Sequence, residues 1–156
     1  MSSELRVDKI VPVDGVPTGG GGGIVQVKQS LYNTYSSSNT NTSMSAISGW
    51  TVVITPKFNT SKMLVTVNIS VECRSANMIG VELTRNGTAM FNNKGGFRGD
   101  NANGGYITLS YLDSPATTSA VTYGVQTAAN TGTYAINNYF GGGPTTSFLT
   151  VMEVSA

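Results

Sequence analysis

The chain has 156 residues, enough for one domain with a real core and too few for two comfortable ones. Gly, Thr, Ser and Asn supply 70 of them (19, 20, 17 and 14) and charged residues only 11%, so helix is disfavoured and pleated structure rich in turns is expected. Histidine is absent and Cys73 is the sole thiol, which excludes an intrachain disulfide, a His-based triad and a Cys/His zinc site, while a net charge of +1 lacks the footprint of a nucleic-acid or anionic-membrane binder.

The first 14 residues hold five of the charges (Glu4, Arg6, Asp8, Lys9, Asp14), whereas 99–156 hold only Asp100, Asp113 and Glu153. Pro17 and the run Gly19 to Gly23 then interrupt regular structure. Residues 1–23 therefore read as an N-terminal arm with one short extended piece, 5–13, and a glycine linker; residues 24–156 read as the globular body. The glycines are no phosphate cradle, because no Lys-Ser or Lys-Thr follows and the next segment is strand-like. No signal-peptide block and no apolar stretch of membrane-spanning length is present, so synthesis in the cytoplasm and release by lysis or in a particle are expected, without membrane insertion.

In the body, strands are expected at 24–29, 50–55, 63–74, 78–85, 88–91, 106–112, 121–128, 133–136 and 148–154. The clearest is 63–74, where Met63, Val65, Val67, Ile69, Val71 and Cys73 share one face and polar residues the other. Asn86-Gly87 between two alternating runs predicts a tight hairpin. Nine such strands predict an all-β fold, a jelly-roll-like antiparallel β-sandwich of two sheets with an extended N-terminal arm.

Two strands carry apolar residues on both faces. In 148–154, Leu149 and Val151 lie opposite Phe148, Met152 and Val154; in 106–112, Ile107, Leu109 and Tyr111 lie opposite Tyr106 and Leu112. A lone sandwich buries one face of each sheet, so Tyr106, Leu112, Phe148, Met152 and Val154 are expected to meet sister subunits.

Other motifs carry less. Asp100, Asp113, Glu72 and Glu82 fall on different elements, and solvated surface positions are expected for them rather than a glycosidase pair. No catalytic residue, cofactor or metal is expected; the 100–105 loop has Ala102 where a calcium ligand would stand. Arg98-Gly99-Asp100 matches an integrin-type tripeptide by chance, and the sequons at Asn41, Asn59, Asn68 and Asn86 follow from abundant Ser and Thr.

Taken in order, the arm segment Ser3 to Pro12, the Gly run, Ile54-Thr55-Pro56 followed by Ser61 to Val65, Tyr111-Leu112-Asp113-Ser114-Pro115 and the terminal Leu149 to Val154 resemble a family of virion proteins. These are the tail-fibre, spike or surface-decoration proteins of tailed bacteriophages, particularly phages of marine bacteria and cyanobacteria. The resemblance implies a jelly-roll head like those of the complement C1q and tumour necrosis factor group, assembled as a homotrimer, with an arm that docks on the particle. On that basis the expected function is a non-enzymatic virion component, a trimeric tail-fibre knob. The alternatives are a capsid-decorating head fibre and, more remotely, a carbohydrate-active enzyme. Leu5, Arg6, Val7, Asp8, Lys9, Ile10 and Val13 are the expected contacts with another virion protein of tail, baseplate or capsid. Loops 92–105 and 137–143, with Arg98, Asn101, Asn103 and Tyr139, are the expected contacts with a host glycan or envelope protein.

Overall fold

In the computed structural model, residues 23–75, 78–90, 95–99, 103–139 and 143–155 are described. They form thirteen strands: β1 (Ile24–Tyr32), β2 (Ser36–Asn39), β3 (Ser45–Ile54), β4 (Lys62–Cys73), β5 (Met78–Arg85), β6 (Thr88–Ala89), β7 (Gly95–Arg98), β8 (Asn103–Asp113), β9 (Val121–Ala129), β10 (Tyr134–Ile136), β11 (Asn138–Tyr139), β12 (Gly143–Pro144) and β13 (Ser147–Val154). The fold is all-β, and the arm contacts expected at Leu5 to Val13 lie outside the described residues, as do Asp100 and Asn101.

Strand β4 organises the first sheet. One of its flanks pairs with β8 along its length, from Met63 opposite Asp113 to Cys73 opposite Asn103. The other flank pairs first with β13, which in turn pairs with β1, and then with β10, which pairs with β2. The second sheet runs β3, β9, β5, with β6 and β7 both pairing with β5. The strands β3, β4, β5, β8, β9 and β13 alternate between the sheets, the crossing pattern of a jelly roll.

The alternation of β4 sets the core: Met63, Val65, Val67, Ile69, Val71 and Cys73 are fully buried. They face Trp50, Ile54, Ile79, Leu83 and Tyr123 of the second sheet. Trp50 stacks on Tyr32 with centroids 5.2 Å apart and donates through Nε1 to the Ser30 carbonyl at 3.3 Å, tying β3 to β1. The Asn86-Gly87 turn forms as expected, with φ of 50° and 80° and Arg85 opposite Thr88.

Several expectations need correction. The chain pairs at Ser36–Asn39, Gly95–Arg98, Asn138–Tyr139 and Gly143–Pro144, all Ser, Asn or Gly-rich segments that read as loops. Arg98 lies opposite Met78 and Asn103 opposite Cys73, so two of the expected loop residues are ladder residues. Strand β3 starts five residues early, because an irregularity between Ala46 and Thr51 hides its period. Glu72, Glu82 and Asp113 are buried rather than solvated, each held by a side-chain donor.

Candidate functional site

The outward face of β1, β13, β4 and β8 carries five of the eight exposed large apolar side chains among the described residues, Ile24, Val27, Leu31, Tyr106 and Leu112. Residues directly opposite one another across a ladder share a face, so the pairing register orders this surface into rows. One row reads Val27, Met152, Leu64 and Leu112 across all four strands. A second reads Leu31, Phe148, Asn68 and Thr108, and at the strand ends Ile24 lies opposite Val154. Leu112, Val27, Leu31 and Ile24 are 55%, 51%, 59% and 62% exposed.

Between the two rows lies a polar one, Gln29, Thr150, Thr66 and Ser110. Its groups are already partnered: Gln29 Nε2 donates to Thr150 Oγ1 at 2.9 Å, and the Thr66 and Ser110 hydroxyls bond at 3.0 Å. Next to them Asn68 Nδ2 donates to Thr108 Oγ1 at 2.8 Å. These bonds lower the cost of dehydrating the row without removing it, since the second Gln29 amide proton, the Thr150 hydroxyl proton and one of the Thr66 and Ser110 hydroxyl protons are left for a partner across the interface.

All five residues expected at a subunit contact project from this face. Leu112, Phe148, Met152 and Val154 gather with the rows above, whereas Tyr106 lies six residues along β8 from Leu112, roughly 20 Å away at strand rise, beyond Ser110 and Thr108. Sequence reasoning missed Ile24, Val27 and Leu31. Val27 and Leu31 are spaced for one strand face, but Ile24 joins them only through the register shift between Ile24 and Gln26, a bulge that no period reveals.

At the Tyr106 end the face sinks into a hollow of about 130 Å³ lined by Ser70, Glu72, Gly104, Gly105, Tyr106, Asn138 and Thr145. Glu72 on β4 is buried, and its Oε2 accepts from Asn138 Nδ2 on β11 and lies 3.7 Å from the Arg74 guanidinium. Ser70 donates at 3.5 Å to the Asn138 carbonyl. The Thr145 hydroxyl oxygen is buried with no partner among the described residues. Asn103 adjoins Gly104, and Tyr139, which pairs with Gly143, adjoins Asn138, so two of the expected host contacts border this hollow in the chain. Arg98 is exposed on β7 of the other sheet.

A wider hollow of about 230 Å³ opens between the edges β2 and β3, lined by Asn39, Asn41, Thr127 and Tyr134 among others. Its polar atoms satisfy one another: the Tyr134 hydroxyl donates to Asn41 Oδ1 and bonds Thr127 Oγ1, both at 2.8 Å, and Asn41 Nδ2 donates to the Thr127 carbonyl.

The buried carboxylates stay apart, with different partners for each. Glu82 accepts from Gln126 Nε2 at 2.7 Å, and Asp113 from Arg85 Nη1 at 2.9 Å and the Tyr123 hydroxyl at 2.7 Å. Glu153 accepts from Gln26 Nε2 at 2.5 Å and the Lys57 amide at 2.7 Å. Among the described residues no three His, Cys, Asp or Glu side chains gather to hold a metal, and no helix is long and apolar enough to cross a membrane.

No protein-family model matches the chain, and no curated protein sequence matches it. Similar solved structures include the Eiger TNF of S. frugiperda, at 9% identity and a TM-score of 0.45, covering 78% of this chain and 93% of that one. They also include the tripod (BppUct-A-L) from the baseplate of bacteriophage Tuc2009, at 15% identity and a TM-score of 0.47, covering 100% of this chain and 82% of that one.

Proposed function

We propose that this chain is a non-enzymatic structural subunit of a bacteriophage particle, a tail-fibre knob that works as a homotrimer. The observation that carries the reading is the exposed apolar face of β1, β13, β4 and β8. Burying the exposed half of side chains such as Val27, Leu31 and Leu112 contributes about 0.8–1.5 kcal/mol each, so several of them, brought by every copy, are needed to offset an association cost of roughly 4–15 kcal/mol. The internal bonds of the polar row between them reduce its desolvation penalty. Three copies, and the bacteriophage setting, are what the ordered segments of the sequence imply through their resemblance to virion proteins.

In this reading residues 1–23 fasten the knob to another virion protein, with Leu5, Val7, Ile10 and Val13 as docking contacts and Arg6, Asp8 and Lys9 setting register. The body faces outward towards the host surface. A role without catalysis is favoured because the buried carboxylates hold the fold together, each engaged on its own element.

Sedimentation of the full chain at micromolar concentration tests the assembly. Three chain masses are expected for the wild type, and one chain mass with unchanged strand content for Leu112→Arg combined with Met152→Arg. A wild-type protein that sediments as a single chain overturns the proposal. Deleting residues 1–23 should preserve the trimer and abolish incorporation into particles; normal incorporation overturns the docking role.

A further inference from the structure

We infer that the hollow beside Tyr106 binds a single pyranose ring of a neutral saccharide, which deepens the host-contact part of the function proposed above. Room for the ring comes from a missing side chain. Gly104 lies opposite Glu72 on the outward face, so the β8 side of the hollow is bare backbone there, whereas a Cβ on Gly105 would point to the opposite face, 2.7 Å from the Phe97 ring. A Cβ on Gly104 would come within 3.4 Å of the Glu72 Cβ and 3.1 Å of the Val71 carbonyl, so any larger residue there fills the space next to the carboxylate.

The groups that remain ask for a hydroxylated ligand. Glu72 is only 8% exposed, and among the described residues its carboxylate receives a hydrogen bond from Asn138 alone, so it retains acceptor capacity for further donors. Thr145 contributes a hydroxyl without a partner, able both to donate and to accept, and the Ser70 hydroxyl makes only a long contact. Tyr106, 58% exposed, supplies an aromatic surface against which the C–H face of a ring can rest, with a polar tip at its edge.

The same features disfavour other ligands. An anion would meet the Glu72 carboxylate, the one acid in the lining, whose Arg74 partner lies 3.7 Å away outside it, and an apolar ligand would leave Thr145 unpartnered and Glu72 with Asn138 and Arg74 alone. A calcium ion wants six to eight oxygens, usually from several carboxylates, whereas Glu72 is the only carboxylate in the lining. The volume of about 130 Å³ matches roughly four waters of liquid, the scale of one ring edge with its hydroxyls and too small for a buried chain. The larger hollow at Asn41 and Tyr134 has no comparable unmet demand, because its groups bond one another.

Saturation-transfer NMR on the full chain tests this with three probes, the methyl glycosides of glucose, galactose and N-acetylglucosamine, each taken to tens of millimolar. At least one is expected to receive saturation. Tyr106→Ala, a change at an exposed position that leaves the core intact, should abolish it, and Glu72→Gln should weaken binding about tenfold by removing the charged acceptor. No transfer to any of the three, or undiminished transfer in Tyr106→Ala, overturns the site. So does a response of the Gly104 and Gly105 amides to calcium chloride alone. A trimer that ignores all three sugars overturns this site and not the assembly; a single-chain species that binds one overturns the assembly and not the site.

Discussion

The Tyr123 hydroxyl on β9 donates to Asp113 Oδ2 on β8 across the sandwich at 2.7 Å, joining the two sheets through one buried hydrogen bond. Arg85 on β5 completes the cluster from the second sheet, with Nη1 at 2.9 Å and 3.1 Å from the two carboxylate oxygens. Because Arg85 keeps 41% of its side-chain exposure, water can replace its partner; no water reaches Tyr123 so readily. Asp113→Ala is expected to cost about 1–3 kcal/mol, chiefly the orphaned phenol, and Tyr123→Phe about 1 kcal/mol. In urea unfolding the double variant should lose less than the sum of the two; strict additivity would deny the coupling.

Burial, and then the hydrogen bond and charge of Asp113, push the Tyr123 phenol well above the ordinary tyrosine range, while Arg85 opposes them weakly. The folded state thus keeps a proton that the unfolded chain releases near pH ~10. The stability linked to this group is complete below that pH and declines as pH rises above it. An absorbance titration should show one tyrosine ionising only as the protein unfolds, and Tyr123→Phe should flatten the alkaline decline.

Glu153 behaves in the opposite sense. Burial alone would raise its carboxyl, but hydrogen bonds from Gln26 and the Lys57 and Phe58 amides outweigh it and hold the group below the usual range. Its contribution is therefore fully present above the unfolded value near pH ~4.3 and is lost as pH falls through the lower folded value. Glu153→Gln should cost about 1–3 kcal/mol at neutral pH, with the gap to wild type closing below about pH 4. Chemical denaturation at a series of pH values measures it.

Two left-handed glycines separate conformational strain from collision. Gly87, at φ 80°, has nothing within 4 Å of where an alanine methyl would sit, so Gly87→Ala should cost about 1–2 kcal/mol, the backbone contribution alone. At Gly132, with φ 70°, the same methyl would fall 2.5 Å from the Ser75 carbonyl oxygen, so Gly132→Ala should cost roughly 3 kcal/mol or more. Equal melting temperatures for the two variants would contradict this.

The outer face can be told from ordinary surface exposure with a matched control. Val27 and Val53 are 51% and 55% exposed, but Val27 belongs to a four-strand apolar row and Val53 projects from the second sheet opposite Thr122. Val27→Asp should weaken self-association at least tenfold, while Val53→Asp leaves the sedimenting mass unchanged.

Much of the body was legible because its signals are local. The two-residue period of Met63 to Cys73 and the turn chemistry of Asn86-Gly87 each depend on neighbours in the chain, and both appear as expected. The double-faced apolarity of 148–154 and 106–112 likewise marked Phe148, Met152, Val154 and Leu112 as residues with no place in the core. Strands such as Ser36–Asn39 escaped because polar side chains with no period carry no pairing signal; there Asn39 lies opposite Tyr134 and donates to its carbonyl. The acids escaped for a related reason, since Asp113 is buried only because Tyr123 and Arg85 arrive from another sheet.

From sequence alone came an all-β sandwich and the prospect of an outward apolar surface, since alternation and turn residues act over a few positions. Only tertiary structure decided that Ile24, Val27 and Leu31 join that surface, that Tyr106 stands apart from Leu112, and that Glu72 meets Asn138 and Thr145 around one hollow. Register, bulges and the juxtaposition of strands sixty or more residues apart arise from the packing of the whole chain, and no short stretch of it encodes them.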